Sequence, residues 1–193
     1  MSNKTTQLTN KFTITYTGLI YPKRQNPYLL LEAIHNLDKK GSIDLDDIDV
    51  HTYGGYIDVK GTNDPILWWV ALRQHGKVSH AEAIKAQKES QLLWLLDWDD
   101  PNELGVHPGK IFEYLGARRP ILATGGVKGN VVDELIKETQ SGYHAVDVQE
   151  AEQVLEKCYQ EWKQTGRVEY KGVSVERYTF REMARKYVEL LND

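Results

Sequence analysis

The sequence contains a single cysteine, Cys158, in 193 residues. One cysteine cannot form an internal disulfide, so we expect a reducing, cytoplasmic compartment. Val154, Leu155 and Tyr159 surround it at helical spacing, which predicts a buried structural thiol rather than a nucleophile. No apolar run approaches the roughly 18 residues of a membrane span, and no signal peptide is recognisable. We therefore predict a protein without a transmembrane segment.

Positive charge is also scarce. The chain has 24 Lys and Arg against 28 Asp and Glu, a formal net charge of −4. This balance argues against a nucleic-acid partner, so any affinity for phosphate must be local. No set of side chains has metal-ligand spacing, and we predict no metal.

The length fits one domain, and a composition with 40% hydrophobic and 27% charged residues is typical of globular proteins. Residues 1–11 are polar, which predicts a disordered lead or an artificial boundary, with the folded domain over residues 12–193. Strand patterns occur at residues 12–17, 48–53, 91–97, 119–124 and 143–146, and helical patterns separate them. The sequence therefore predicts an α/β fold, a Rossmann-like open parallel sheet sandwiched by helices.

A further helix is predicted over residues 65–75, with Asn63 or Asp64 as its cap. It carries Trp68 and Trp69, for which we favour core and lid packing over a partner surface. Ser79 and Glu82 form a capping box that predicts the start of the next helix.

The most informative segment runs from His107 to Pro120. Pro108 suits a first helical position, and Gly109 lets a ligand approach the backbone. Lys110 in the first helical turn opposes the helix dipole, which favours anions there by about 0.3–1 kcal/mol. A phosphate at this helix start would explain the lysine, with Glu113 accepting from hydroxyls attached to that phosphate. The alternative is an exposed Lys110–Glu113 ion pair at i, i+3.

A second candidate anion site follows the first strand. There Gly18 precedes a loop with the adjacent cations Lys23 and Arg24, and a helix begins near Pro27. A solvated loop is the alternative interpretation of the two cations. Both candidate loops follow strand ends, where open parallel sheets bind ligands. The glycine-rich turn over residues 125–130 matches neither a G-x-G-x-x-G fingerprint nor a P-loop, and we expect its amides to approach a sugar or phosphate.

The runs Pro108–Leu115 and Arg119–Thr124 resemble the donor site of GT-B glycosyltransferases, and most closely the large family 4 of retaining, nucleotide-sugar-dependent enzymes. The similarity extends from about Phe12 to the C-terminus. The resemblance implies that Glu113 binds the ribose hydroxyls and that the backbone near Gly109 and Lys110 faces the diphosphate.

The same resemblance assigns further positions. Gly18 and one of Lys23 and Arg24 would meet the donor diphosphate, and Val78 and Ser79 would lie beside the nucleotide base, mostly through the backbone. The implied function is the C-terminal, donor-binding half of a glycosyltransferase. Its donor would be a nucleoside diphosphate sugar, with no metal or other cofactor. Lys23 or Arg24, with Lys110 as a further candidate, would neutralise the leaving diphosphate.

Two features depart from the family pattern. A second glutamate often lies eight positions before the first, but Gly105 stands there, with Glu103 nearby. The chain also lacks the N-terminal acceptor domain, so we expect a truncated segment or one subunit of a split enzyme. Alone it would bind nucleotide weakly and transfer nothing, and the full-length enzyme would be cytoplasmic or peripheral to a membrane. The alternatives are half of a sugar-nucleotide 2-epimerase and a non-catalytic binding or interaction module.

Overall fold

A computed structural model describes residues 6–59, 71–100, 103–179, 182, 184, 185, 188, 189 and 191. In chain order its strands and helices are β1 (Phe12–Gly18), α1 (Tyr28–Lys39), β2 (Ile48–Gly54), β3 (Leu72–Gln74), α2 (His80–Glu89), β4 (Leu92–Leu96), α3 (Lys110–Ala117), β5 (Ile121–Thr124), α4 (Val131–Thr139), β6 (Gly142–Ala145) and α5 (Val148–Thr165). Short 3₁₀ helices occupy Leu45–Asp47 and Val175–Tyr178.

The strands form one parallel sheet in the order β3-β2-β1-β4-β5-β6. This order is the doubly wound Rossmann order, in which strands are added outward in both directions from the centre. The chain builds β1, β2 and β3 toward one edge and then returns to place β4 on the other side of β1. The predicted Rossmann-like α/β fold is confirmed, and its topological switch point lies between β1 and β4.

Each central strand supplies apolar side chains to the layers that cover it. Leu92, Trp94 and Leu96 of β4 belong to a core shared with α1 and α5, whereas Leu93 and Leu95 face a core shared with α3 and α4. All five residues are buried, as the unbroken apolar run predicts for a central parallel strand. Helices therefore cover both faces of the sheet.

The other face of β1 is polar. Thr13, Thr15 and Thr17 are buried there, opposite the apolar Phe12, Ile14 and Tyr16. Their hydroxyls make hydrogen bonds: Thr13 donates to the carbonyl oxygen of Lys11, and Thr15 and Thr17 accept from side chains. The hydroxyl of Ser90 donates to Thr15 Oγ1 at a distance of 2.9 Å. This polar strip leads along β1 to the edge of the sheet where the cleft opens.

The helix predicted over residues 65–75 is wrong at its C-terminal end. Leu72–Gln74 form the edge strand β3, which pairs with β2, and the amide of His75 donates to the carbonyl oxygen of Thr52 at 2.9 Å. The strand has three residues and no β-branched side chain, so tertiary pairing outweighs local propensity. Asn63, Asp64, Trp68 and Trp69 lie outside the described residues.

Several local predictions are confirmed. Ser79 and Glu82 form the predicted capping box at the start of α2. Cys158 is buried, and burial raises the pKa of its thiol to about 12. Every helix in the described part of the chain is too short or too polar to cross a membrane.

Candidate functional site

A cleft of about 790 Å³ opens at the carboxyl ends of the central strands. Its lining includes Thr17 and Gly18 at the end of β1, and Leu96 and Trp98 at and just after the end of β4. These strands flank the switch point, and ligands of open α/β sheets bind in the crevice outside this edge. The position of the cleft therefore follows from the strand order.

Six of the residues predicted for the site line this cleft. They come from the end of β1, the start of α2 and the start of α3: Gly18, Val78, Ser79, Gly109, Lys110 and Glu113. These segments are far apart in the sequence, so the fold has brought together the predicted diphosphate, base and ribose positions. Lys23 and Arg24 are not among the lining residues.

The N-terminus of α3 faces the cleft. Gly109 is its N-cap and makes no side-chain capping bond, and Lys110 is its first helical residue. The helix begins two residues later than the Pro108 start that we predicted, and the amide of Ile111 donates to the carbonyl oxygen of Pro108 at 2.9 Å. A helix start without a side-chain cap presents backbone N–H groups to an anion.

Lys110 and Glu113 form the ion pair that was the alternative interpretation of their spacing. The Lys110 ammonium lies 3.0 and 3.1 Å from the two carboxylate oxygens of Glu113. Both side chains are partly exposed, at 33% and 22%. The lysine stem passes over Gly18, where a Cβ atom would lie 3.5 Å from the lysine Cε. That distance is an ordinary contact, so glycine is required at position 18 for its φ of 139° rather than for space.

Behind Glu113 lies a buried polar network that the sequence analysis did not find. The Gln87 amide donates to Thr17 Oγ1 at 2.8 Å and to Glu113 Oε2 at 3.1 Å. The hydroxyl of Tyr114 accepts from the amide of Thr17 at 2.9 Å. Burial raises the pKa of Tyr114 to about 12, so this hydroxyl stays neutral. The end of β1, α2 and α3 are thus tied together directly behind the cleft.

Arg24 makes contacts beside the cleft rather than inside it. Its guanidinium lies 3.0 Å from a carboxylate oxygen of Glu103 and 4.7 Å from the ring centre of Trp98, which lines the cleft. Lys23 has a φ of 70° in the same loop. Gly105 stands where the resembled family often has a second glutamate. Glu103, the glutamate nearest to that position, is paired with Arg24.

Aromatic side chains form much of the remaining lining. Tyr16, Tyr21, Tyr53 and Trp98 all face the cleft, and Lys77 adds a second lining lysine beside Lys110. Burial raises the pKa of Tyr16, whose hydroxyl donates to the carbonyl oxygen of Leu19 at 2.6 Å. The sequence offers one signal for these residues, which is that Tyr16, Tyr53 and Trp98 stand at or just after the ends of β1, β2 and β4.

The glycine-rich turn over residues 125–130 does not line the cleft. The amide of Gly126 donates to Asp99 at 2.8 Å, and Asn130 donates to the buried carboxylate of Asp97 at 2.7 Å. Burial raises the pKa of Asp97 despite this hydrogen bond. We expected these amides to approach a sugar or phosphate. The Gly126 amide instead donates to Asp99 of the protein itself.

Among the described residues, no group of three or more His, Cys, Asp or Glu is arranged so that it could hold a metal ion. The cleft offers one carboxylate, two lysines, two histidines, aromatic faces and a helix N-terminus. This combination can bind a ligand that carries hydroxyls, an anionic group and a planar ring.

The sheet order and the cleft define a Rossmann-like α/β domain. Comparison with solved structures shows where the same fold occurs. The chain is similar to Anabaena HepE in complex with UDP, with a TM-score of 0.68 and 14% identity over 95% of this chain and 49% of HepE. It is also similar to the pneumococcal O-GlcNAc transferase GtfA in complex with UDP and GlcNAc, with a TM-score of 0.60 and 12% identity over 96% of this chain and 36% of GtfA.

A third similar structure is WaaG, a glycosyltransferase involved in lipopolysaccharide biosynthesis, with a TM-score of 0.55 and 13% identity over 78% of this chain and 38% of WaaG. No protein-family model matches the sequence, and the comparison with curated proteins finds no match. The chain therefore has the fold of one half of a GT-B glycosyltransferase, as predicted, and it spans 36–49% of the length of these three proteins.

Proposed function

We propose that this chain is the donor-binding half of a glycosyltransferase that uses a nucleoside diphosphate sugar. The observation that carries the proposal is the convergence of Gly18, Ser79, Lys110 and Glu113 on one cleft at the switch point of the sheet. Two of the similar structures hold UDP, and a further HepE structure holds UDP-glucose. The proposed ligand class is thus the one found on this fold.

In this proposal the ribose lies against Glu113 and the diphosphate against the N-terminus of α3. An ionised carboxylate accepts hydrogen bonds only, which suits two neighbouring sugar hydroxyls. The free N–H groups at Gly109 and the ammonium of Lys110 supply positive charge for the diphosphate. The backbone of Val78 and Ser79, with the neighbouring aromatic side chains, borders the base.

The transfer step requires stabilisation of the nucleoside diphosphate as the glycosidic bond breaks. We assign this role to Arg24 or Lys23, supported by Lys110, and to no metal ion. Arg24 reaches this role by exchanging Glu103 for a phosphate oxygen. The exchange costs little, because the exposed ion pair that must break contributes only about 0–1 kcal/mol.

The acceptor-binding part of the enzyme belongs to a separate segment or subunit in this proposal. The chain spans less than half of the similar structures, which supports a partner domain across the mouth of the cleft. We accordingly expect the 193-residue chain to bind nucleotide and to transfer no sugar by itself. A cytoplasmic location, with the full enzyme against a membrane surface, completes the proposal.

Calorimetric titration with UDP tests the proposal. Replacing Glu113→Ala removes the acceptor for the ribose hydroxyls and should weaken UDP binding about 10- to 100-fold, the equivalent of about 1.5–3 kcal/mol. The Glu134→Ala variant removes an exposed carboxylate from α4 and is the matched control. Equal UDP affinity in the Glu113→Ala variant and the wild type would refute the ribose assignment. Addition of EDTA should leave UDP binding unchanged.

A further inference from the structure

Two side chains contact the Glu113 carboxylate, one partly exposed and one buried. On the solvent side it meets Lys110, whose side chain is 33% exposed. On the protein side it meets Gln87, which has no exposed surface. Three donor contacts therefore fall on a carboxylate that has about four acceptor sites. The partly exposed side chain of Lys110 can move on its solvent side, whereas the buried amide of Gln87 is confined by its packing.

The hydrogen bonds fix the orientation of the Gln87 amide. Its Nε2 donates both to Thr17 Oγ1 and to Glu113 Oε2. Turning the amide over would bring its oxygen against the carboxylate of Glu113, with two acceptors facing each other. The Gln87 Oε1 atom has no hydrogen-bond partner among the described residues. Two acceptors facing each other are less favourable than this one unpaired oxygen, so the amide keeps the orientation in which Nε2 donates to both partners.

Helical spacing places Gln87 directly behind the cleft. Ala83 lines the cleft and lies one helical turn before Gln87 on α2. The same Gln87 amide also donates to Thr17, the residue before Gly18 on β1. One side chain thus links the carboxylate of α3 to the end of the central strand.

We propose that Gln87 is a positioning residue that holds the Glu113 carboxylate for ribose recognition and so sets the preference for ribonucleotides over their deoxy analogues. The inference rests on the proposed function, since it assumes that Glu113 accepts from ribose hydroxyls. Lys110 cannot perform this role if a diphosphate attracts its ammonium. Gln87 carries no charge and has no such competing ligand.

The test compares UDP with 2′,3′-dideoxy-UDP by calorimetric titration of the whole chain. We expect the wild type to bind UDP at least about tenfold more tightly than the dideoxy analogue, because the carboxylate accepts from the missing hydroxyls. The Gln87→Met variant keeps the shape of the side chain and removes the donor. Its preference for UDP should fall to about twofold through loss of UDP affinity, with the affinity for the analogue unchanged.

The matched control is Gln91→Met. Gln91 is equally buried, and its amide bonds the backbone at Thr9 and Gly166, away from the cleft. This variant loses two donated bonds, as Gln87→Met does, together with the bond that Gln91 accepts from the Val168 amide, and it should keep the full wild-type preference. A merely structural role for Gln87 would change the stability of both variants in the same way and leave both preferences intact.

A second variant covers the case in which Gln87→Met does not fold. Gln87→Glu keeps the size of the side chain but faces Glu113 with a carboxylate at about pH 8. Its preference for UDP should be lost there and should return at about pH 5.5, where the introduced carboxyl takes up a proton and becomes a donor. The preference of the wild type for UDP should be the same at both pH values.

The outcomes separate the two hypotheses. A wild type that binds UDP and its dideoxy analogue equally contradicts the proposed ribose contact, and a wild type that binds no nucleoside diphosphate contradicts the proposed function. A wild type that prefers UDP, combined with an unchanged preference in the Gln87 variants, overturns the positioning role and leaves the proposed function standing. Loss of preference in the Gln87 variants alone supports the inference.

Discussion

Lys110 offers the sharpest test of the electrostatics of the cleft. Its ammonium contacts both oxygens of Glu113, and the Gln87 amide takes a third acceptor site. A ribose brings two hydroxyl donors, so at least one lysine contact must break before both can bind to a carboxylate with about four acceptor sites. We infer that the ammonium then moves to the diphosphate.

The Lys110→Met variant should therefore respond differently to two ligands. Loss of a charge-assisted hydrogen bond to phosphate costs about 1.5–3 kcal/mol, so UDP binding should weaken about 10- to 100-fold. Uridine has no phosphate, and its binding no longer competes with an i, i+3 ion pair that contributes about 0.2–0.5 kcal/mol. Uridine affinity should stay constant or rise by up to about twofold.

Calorimetric titration with UDP and with uridine measures both responses. Lys85→Met is the matched control, because Lys85 forms an i, i+4 pair with Glu89 on the exposed side of α2. It should leave both affinities unchanged. An equal loss of UDP and uridine binding in Lys110→Met would refute the exchange, since it would show that the lysine supports the ribose contact rather than competing with it.

Three further predictions concern stability and charge. Tyr114→Phe leaves the buried amide of Thr17 without its acceptor and should lower the free energy of unfolding by about 1–3 kcal/mol in urea denaturation. Burial, with the charge of His75 as a second cause, lowers the pKa of His51. The unfolded chain then takes up the proton first, so stability falls as the pH drops below about 6.5, and His51→Gln should reduce this slope in thermal melts. Arg24→Met should weaken UDP binding about tenfold and leave uridine binding unchanged, as titration would show.

Each of these predictions has a contradicting result. Wild-type stability in Tyr114→Phe would mean that another group accepts from Thr17. If His80→Gln reduced the pH slope as much as His51→Gln, the slope would not come from the partly buried His51 ring. Equal UDP affinity in Arg24→Met would show that the guanidinium stays on Glu103.

The fold was predictable because its main signals are local. The run Leu92–Leu96 has no alternation and is buried on both faces, and the capping box at Ser79 starts α2 as its spacing indicates. The edge strand Leu72–Gln74 was missed because three residues without β-branching carry no strand signal of their own. It exists because β2 offers an edge to pair with.

The candidate site was predictable where its residues are contiguous. Gly109, Lys110 and Glu113 lie within one turn of a helix start, so their spacing predicts that they lie together, while their roles toward a ligand stay a prediction. Gln87 reaches Glu113 from 26 positions away, and Arg24 meets Glu103 across 79 positions. Such contacts depend on the packing of separate elements, and no local pattern encodes them.

The capping box at Ser79 has a consequence for how the chain tolerates insertions. It fixes where α2 begins, and Gln87 follows eight residues later. One inserted residue between them would turn everything beyond it by about 100° and advance it by about 1.5 Å. The amide would then point away from Glu113 although every original side chain was still present. The length of this helical segment is therefore as much a part of the site as its composition.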